Sequence, residues 1–171
     1  MKSVTVPVVL VGVYAAVAGF VFSATVAETV LLYPNIFRDV PASLELSEEF
    51  MSSVAVGDLM RPLGAGLTLC ALAAMGAALW YRVARGWMAA SLVSLISGQF
   101  LLSILYLWPR ASVLFDDRAQ HTLDEIERAA TEFQIRQGFR ILACALTAVF
   151  ATVAALGCYR ARLMRRLSTG E

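Results

Sequence analysis

The sequence predicts an all-α, integral membrane fold: a four-helix up-down bundle with both termini in the cytoplasm. Three observations carry that prediction. The 171 residues are 59% apolar and 16% charged, against about 45–50% and about 25% in soluble domains. The mean hydropathy is +0.70. Four apolar stretches approach or exceed the roughly 20 residues a helix needs to cross a bilayer. This composition excludes a soluble enzyme with an ordinary core, a disordered chain and a secreted disulfide scaffold. A net charge of +1 leaves no basic field for nucleic acid.

The spans are expected at about residues 4–32, 59–80, 87–108 and 139–159, with outer loops at 33–58 and 109–138, in one domain covering 1–171. The first apolar run starts at Val4 and is far longer than the roughly 7–15 residues of a signal-peptide core. It therefore reads as a membrane helix, ended by Pro34 and Asn35. The third span is expected to stop at Pro109. Trp80, Tyr81, Trp87, Trp108 and Tyr159 fall at span ends, where an aromatic belt sits. Each span must be helical, because lipid offers no hydrogen bonds to a bare backbone.

Charge sets the expected orientation. Lys2, the Arg82 and Arg85 link, and the tail with Arg160, Arg162, Arg165 and Arg166 are basic, opposed only by Glu171. The two long loops hold most of the acids. The positive-inside rule places the loops outside and both termini inside. Lys2 is the single lysine among 14 basic residues, and alanine is abundant. That skew points to a bacterial source, hence an inner membrane.

The loops carry helical patterns of their own. Residues 43–50 read as a short helix with Ser43 or Ser47 as cap. In 117–133, Leu123, Ile126, Ala130 and Phe133 recur at spacings of three and four, an amphipathic helix continuous with the fourth span. Gly12, Ala15, Ala16 and Gly19 on the first span, and Gly64, Gly66, Ala73 and Gly76 on the second, offer smooth faces for close packing, within the bundle or against another subunit. Cys70, Cys144 and Cys158 form no Cys-x-x-Cys pair and read as small packing residues.

Polar residues enter the apolar helices near their outer ends. Gln99, Ser103, Tyr106 and Arg110 share one helix face, as do Glu132, Arg136, Arg140, Cys144 and Thr147. Asp58, Arg61 and Thr68 form a third stripe; Thr25, Glu28, Thr29 and Tyr33 form a fourth. Charges in lipid face the bundle and pair. Glu28, Asp58 and Glu132 are thus expected against Arg61, Arg110, Arg136 and Arg140. One reading is an internal ion-pair network that sets helix register. The other is a polar cavity opening outward, in which Asp58, Arg61, Gln99, Arg110, Arg136 and Arg140 bind an oxygen-bearing head group and Glu28 or Tyr106 moves a proton. His121 is the single histidine, which excludes a bis-His haem within one chain. No nucleophilic triad, phosphate loop or metal-ligand spacing is present, and no cofactor is named by the sequence.

The sequence resembles a family of small four-helix membrane proteins that includes the anthrone-oxygenase-like proteins. The resemblance spans about Gly19 to Ala155. It rests on Tyr33-Pro34-Asn35, on Leu107-Trp108-Pro109-Arg110, and on Phe133, Gln137 and Arg140 opening the fourth helix. It implies the four-helix bundle, and oxidation of a polycyclic phenolic substrate without an obvious metal or flavin. Two functions follow as expectations. In the first, an outer-leaflet cavity binds or oxidises a hydrophobic molecule with an oxygen-bearing head (quinone, phenolic or lipid). In the second, the chain is a non-catalytic subunit or assembly factor, docked to protein partners or to its own copies within membrane lipid.

Overall fold

The computed structural model describes residues 5–169, so Lys2, Val4 and Glu171 of the readings above lie outside the described residues. Among the described residues the chain is helical throughout, with no strand. Four helices are long and apolar enough to cross a membrane. They are α1 (Thr5–Ile36), α3 (Val56–Tyr81), α4 (Arg85–Asp116) and α5 (Leu123–Thr169). A short helix, α2 (Ala42–Phe50), lies between α1 and α3. Large apolar side chains such as Phe20, Leu69, Val93 and Leu156 stand exposed on the long helices. Lipid is the solvent that suits such faces.

Both prolines expected to end helices are instead carried through. α1 passes Pro34 by a π-helical turn at Glu28–Leu32, and Asn35 Nδ2 donates to the Leu31 carbonyl at 2.7 Å. In α4, π-helical turns at Ser103–Leu107 and Ser112–Asp116 flank Pro109. A π turn widens the ladder by one residue, which makes room for a ring that lacks an N–H. The outer loops 33–58 and 109–138 are accordingly mostly helix.

Two further boundaries differ from expectation. Ser43 does not cap α2; its hydroxyl donates to the Ile36 carbonyl and accepts from the Asp39 N–H, tying the α1–α2 turn. Ser47 donates to the Ser43 carbonyl. The amphipathic stretch becomes part of α5 only from Leu123, where the Thr122 N–H and hydroxyl both donate to Glu125 Oε2, at 2.8 and 3.0 Å. Arg118–Gln120 forms a 3₁₀ turn ahead of it.

α5 packs on α1 and α4, and α1 packs on α3. Cross-contacts fix the directions of two pairs. On α1 and α5, Thr25 meets Cys144 and Glu28 meets Arg140. On α4 and α5, Ser94 meets Ala143 and Arg110 meets Glu132. Numbers rise on one helix as they fall on the other, so α1 and α4 both run antiparallel to α5. α4 and α5 approach closely at Gly98, where an added Cβ would collide with that of Ala143. The small residues singled out in the sequence behave differently. A Cβ at Gly12, Gly19, Gly64, Gly66 or Gly76 would meet nothing, so these positions are not close contacts within the bundle.

The interior divides into two apolar cores. One holds Val11, Tyr14, Ala18, Leu67, Ala71, Met88, Ala151 and Cys158. The other holds Tyr33, Ile36, Leu44, Leu107, Leu114, Ile126 and Phe133, and includes residues from α2. On α1 the first core ends at Val21 and the second begins at Tyr33; on α5 they end and begin at Phe133 and Ala151. Buried Thr25, Glu28, Gln137 and Thr147 lie between.

Candidate functional site

The layer between the cores is built by one helical irregularity and two helix faces. On α1 the buried residues recur at Val11, Tyr14, Ala18, Val21, Thr25 and Glu28, alternating steps of three and four. The next buried position is Tyr33, a step of five. The π turn is what sets Tyr33 above Glu28, since in such a turn i and i+5 stack. The Tyr33 hydroxyl donates to Glu28 Oε1. Phe133 and Phe37 wall the phenol, with the Tyr33 and Phe133 rings edge to face at 5.1 Å.

α5 supplies the opposite side. Arg140 Nη1 lies 3.8 Å from Glu28 Oε2 and 3.5 Å from Gln137 Oε1. Cys144 Sγ reaches Thr25 Oγ1 at 3.8 Å. Glu28 is 4% exposed and Gln137 is fully buried. Two atoms in this cluster have no hydrogen-bond partner: Glu28 Oε2, an acceptor, and Gln137 Nε2, a donor. Buried polar atoms rarely stay unpaired, because each lost hydrogen bond leaves its full desolvation cost.

The remaining predicted residues fall into three separate places. Tyr106, Arg110 and Arg136 gather on the α4–α5 seam with Glu132. Arg110 Nη2 is 2.7 Å from Glu132 Oε2, and the Arg136 guanidinium sits 4.1 Å over the Tyr106 ring. Tyr106 is exposed, and the phenol bonded to Glu28 is Tyr33 instead. Gln99 joins a chain across α1, α4 and α5: its Nε2 donates to Thr147 Oγ1, the Ser91 hydroxyl donates to the Thr147 carbonyl, and Tyr14 bonds Ser91 at 2.8 Å. Asp58 and Arg61 are exposed at the start of α3. Asp58 Oδ2 there accepts the Ala55 N–H, a helix-start bond. Of the seven charges expected to interlock, two ion pairs form, Glu28 with Arg140 and Glu132 with Arg110.

Gln137 and Tyr14 are the members that helical spacing alone did not single out. Gln137 sits three residues before Arg140, and that spacing was a usable signal. Tyr14 lies in an unbroken apolar run with nothing to mark it.

Comparison with family models, curated proteins and solved structures finds no match.

Proposed function

We propose that this chain is a multi-pass protein of a bacterial inner membrane, an up-down bundle with cytoplasmic termini, that binds a hydrophobic molecule by its oxygen-bearing head. The head enters the layer formed by Glu28, Tyr33, Gln137 and Arg140. The carrying observation is that Glu28 Oε2, which faces Arg140 at 3.8 Å, and Gln137 Nε2 make no hydrogen bond inside a buried, charged cluster. A phenol or other hydroxyl has the chemistry both atoms lack, a proton to donate to a carboxylate and an oxygen to accept from an amide. Arg140 is placed to hold negative charge on that oxygen. Glu28, which accepts the Tyr33 hydroxyl on Oε1, is placed to take a proton on its other oxygen. Three residues that carry the anthrone-oxygenase-like resemblance, Phe133, Gln137 and Arg140, lie in or beside this cluster.

Native mass spectrometry of protein gently extracted from its own membrane tests the reading. A stoichiometric quinone, phenolic or lipid adduct, lost in Arg140→Ala, is expected. Protein of the right mass with no adduct in either form would overturn it. Oxidation of that ligand is scored in the same preparation by the mass of what is released.

A second reading, a non-catalytic subunit or assembly factor, has its own support. Gly12, Gly19, Gly64, Gly66 and Gly76 leave open, smooth helix surface that the bundle does not use. Stoichiometric protein partners in that spectrum favour it.

A further inference from the structure

The end of the bundle remote from Glu28 carries a concave feature. The turn between α3 and α4 and the end of α5 form a wide-open recess of about 510 Å³ lined by Leu79, Trp80, Tyr81, Arg82 and Arg165. Arg82, Arg85, Arg160, Arg162, Arg165 and Arg166 belong to this link and tail, opposed in the sequence only by Glu171. The recess joins two arginines from different helices to aromatic rings at the end of an apolar span. That is the level of a bilayer's head groups.

The backbone adds an independent observation. Arg82 closes α3 in the left-handed region, φ 56°, with its N–H directed to the Ala78 and Leu79 carbonyls, and Val83 N–H donating to the Ala78 carbonyl at 3.1 Å. Glycine is the usual residue at such a helix end, since a Cβ is strained there. An arginine occupies it instead, and its side chain lines the recess. Ala84, two residues on, takes the same region at φ 53°, so the turn itself holds both residues there.

We propose that this recess binds the phosphate head group of an anionic phospholipid, with Arg82 and Arg165 on the phosphate oxygens and Trp80 and Tyr81 beside the glycerol and upper acyl region. Arginine forks suit phosphate oxygens, and basic pockets between membrane helices are known recognition sites for anionic head groups. The excess of positive charge selects an anion. The exposed apolar span below selects one with acyl chains over a soluble phosphate. Nothing in this assignment depends on the Glu28 cluster.

The test is native mass spectrometry of the full chain in detergent, titrated with phosphatidylglycerol, phosphatidylcholine or inorganic phosphate. The wild type is expected to prefer phosphatidylglycerol over phosphatidylcholine by at least about tenfold, the scale of removing one or two arginine contacts at a charged surface. The Arg82→Gln/Arg165→Gln double variant is expected to lose that preference, and Arg128→Gln, on the distant part of α5, to keep it. Arg82→Gly separates fold from binding: it relieves the left-handed strain, so its melting temperature should hold or rise while the preference falls. Equal binding of the two lipids by wild type, or full preference in the double variant, would overturn the proposal. Displacement of phosphatidylglycerol by millimolar inorganic phosphate would reassign the recess to a soluble anion.

Discussion

Glu28 is a charged side chain buried among apolar helices, and its partners decide whether it can stay. A carboxylate at 4% exposure must be either neutral or paired. Tyr33 serves Oε1 and Arg140 faces Oε2. Arg140→Ala strips the pair and leaves the charge, so a loss of about 3 kcal/mol is expected, as for other half-removed buried pairs. Tyr33→Phe leaves an acceptor unpaired and is expected to cost about 1–3 kcal/mol. Glu28→Gln removes the charge but keeps the acceptor for Tyr33, so it should be milder than Arg140→Ala. Unfolding of each variant by SDS titration in mixed micelles reads the order. Glu28→Gln proving the more damaging of the two would mean that the carboxylate does more than balance Arg140.

At the scale of the helix, irregularity is the working feature. An unbroken α-helix through residues 28–33 would turn Tyr33 off the buried face and leave Glu28 alone. The π turn supplies the one-residue offset. Where α4 meets α5, the constraint is steric: an added Cβ at Gly98 runs into the Ala143 Cβ. Gly98→Ala is therefore expected to destabilise by about 1–3 kcal/mol, the range for overpacked sites. Ala143→Gly in the same chain should return part of that loss, a coupling that a double-mutant cycle measures directly. At the start of α5, Glu125→Ala removes the acceptor for the Thr122 N–H and hydroxyl. A loss of about 1 kcal/mol is expected, visible as faster amide exchange in the first turn with the membrane part unaffected.

Over the whole molecule, length and charge set the arrangement. At about 1.5 Å per residue the 47 residues of α5 reach about 70 Å, more than twice the roughly 30 Å of hydrocarbon. Its first turns must stand clear of lipid, and there they meet α2 and the end of α4 to form the second core. Arg118 Nη2 ties to Glu48 Oε2 at 2.9 Å across that assembly. The basic ends should lie in the cytoplasm and the acidic ones outside. With Cys70, Cys144 and Cys158 replaced by alanine, a thiol at Ser52→Cys should react with an impermeant maleimide on intact cells. One at Ser168→Cys should react only after permeabilisation. The reverse pattern would invert the proposed orientation.

The helical, membrane-crossing character of this chain is already in its composition and in four apolar runs, because lipid admits few backbone solutions. The Glu28–Arg140 and Arg110–Glu132 pairs were within reach for the same reason: buried charge seeks its opposite. Which helix face meets which was not legible. Helical spacing places residues on a stripe but leaves each helix free to rotate. Asp58 and Arg61, on a stripe as regular as the others, therefore end up exposed. The passage of α1 and α4 through Pro34 and Pro109 was hidden too, since a π turn is decided by what the shifted residue gains in packing. Tertiary packing alone brought Tyr33 over Glu28, set Thr25 against Cys144, and left two polar atoms between the cores without hydrogen bonds. Each is a relation between side chains distant in sequence or displaced by one residue, and only the folded packing determines it.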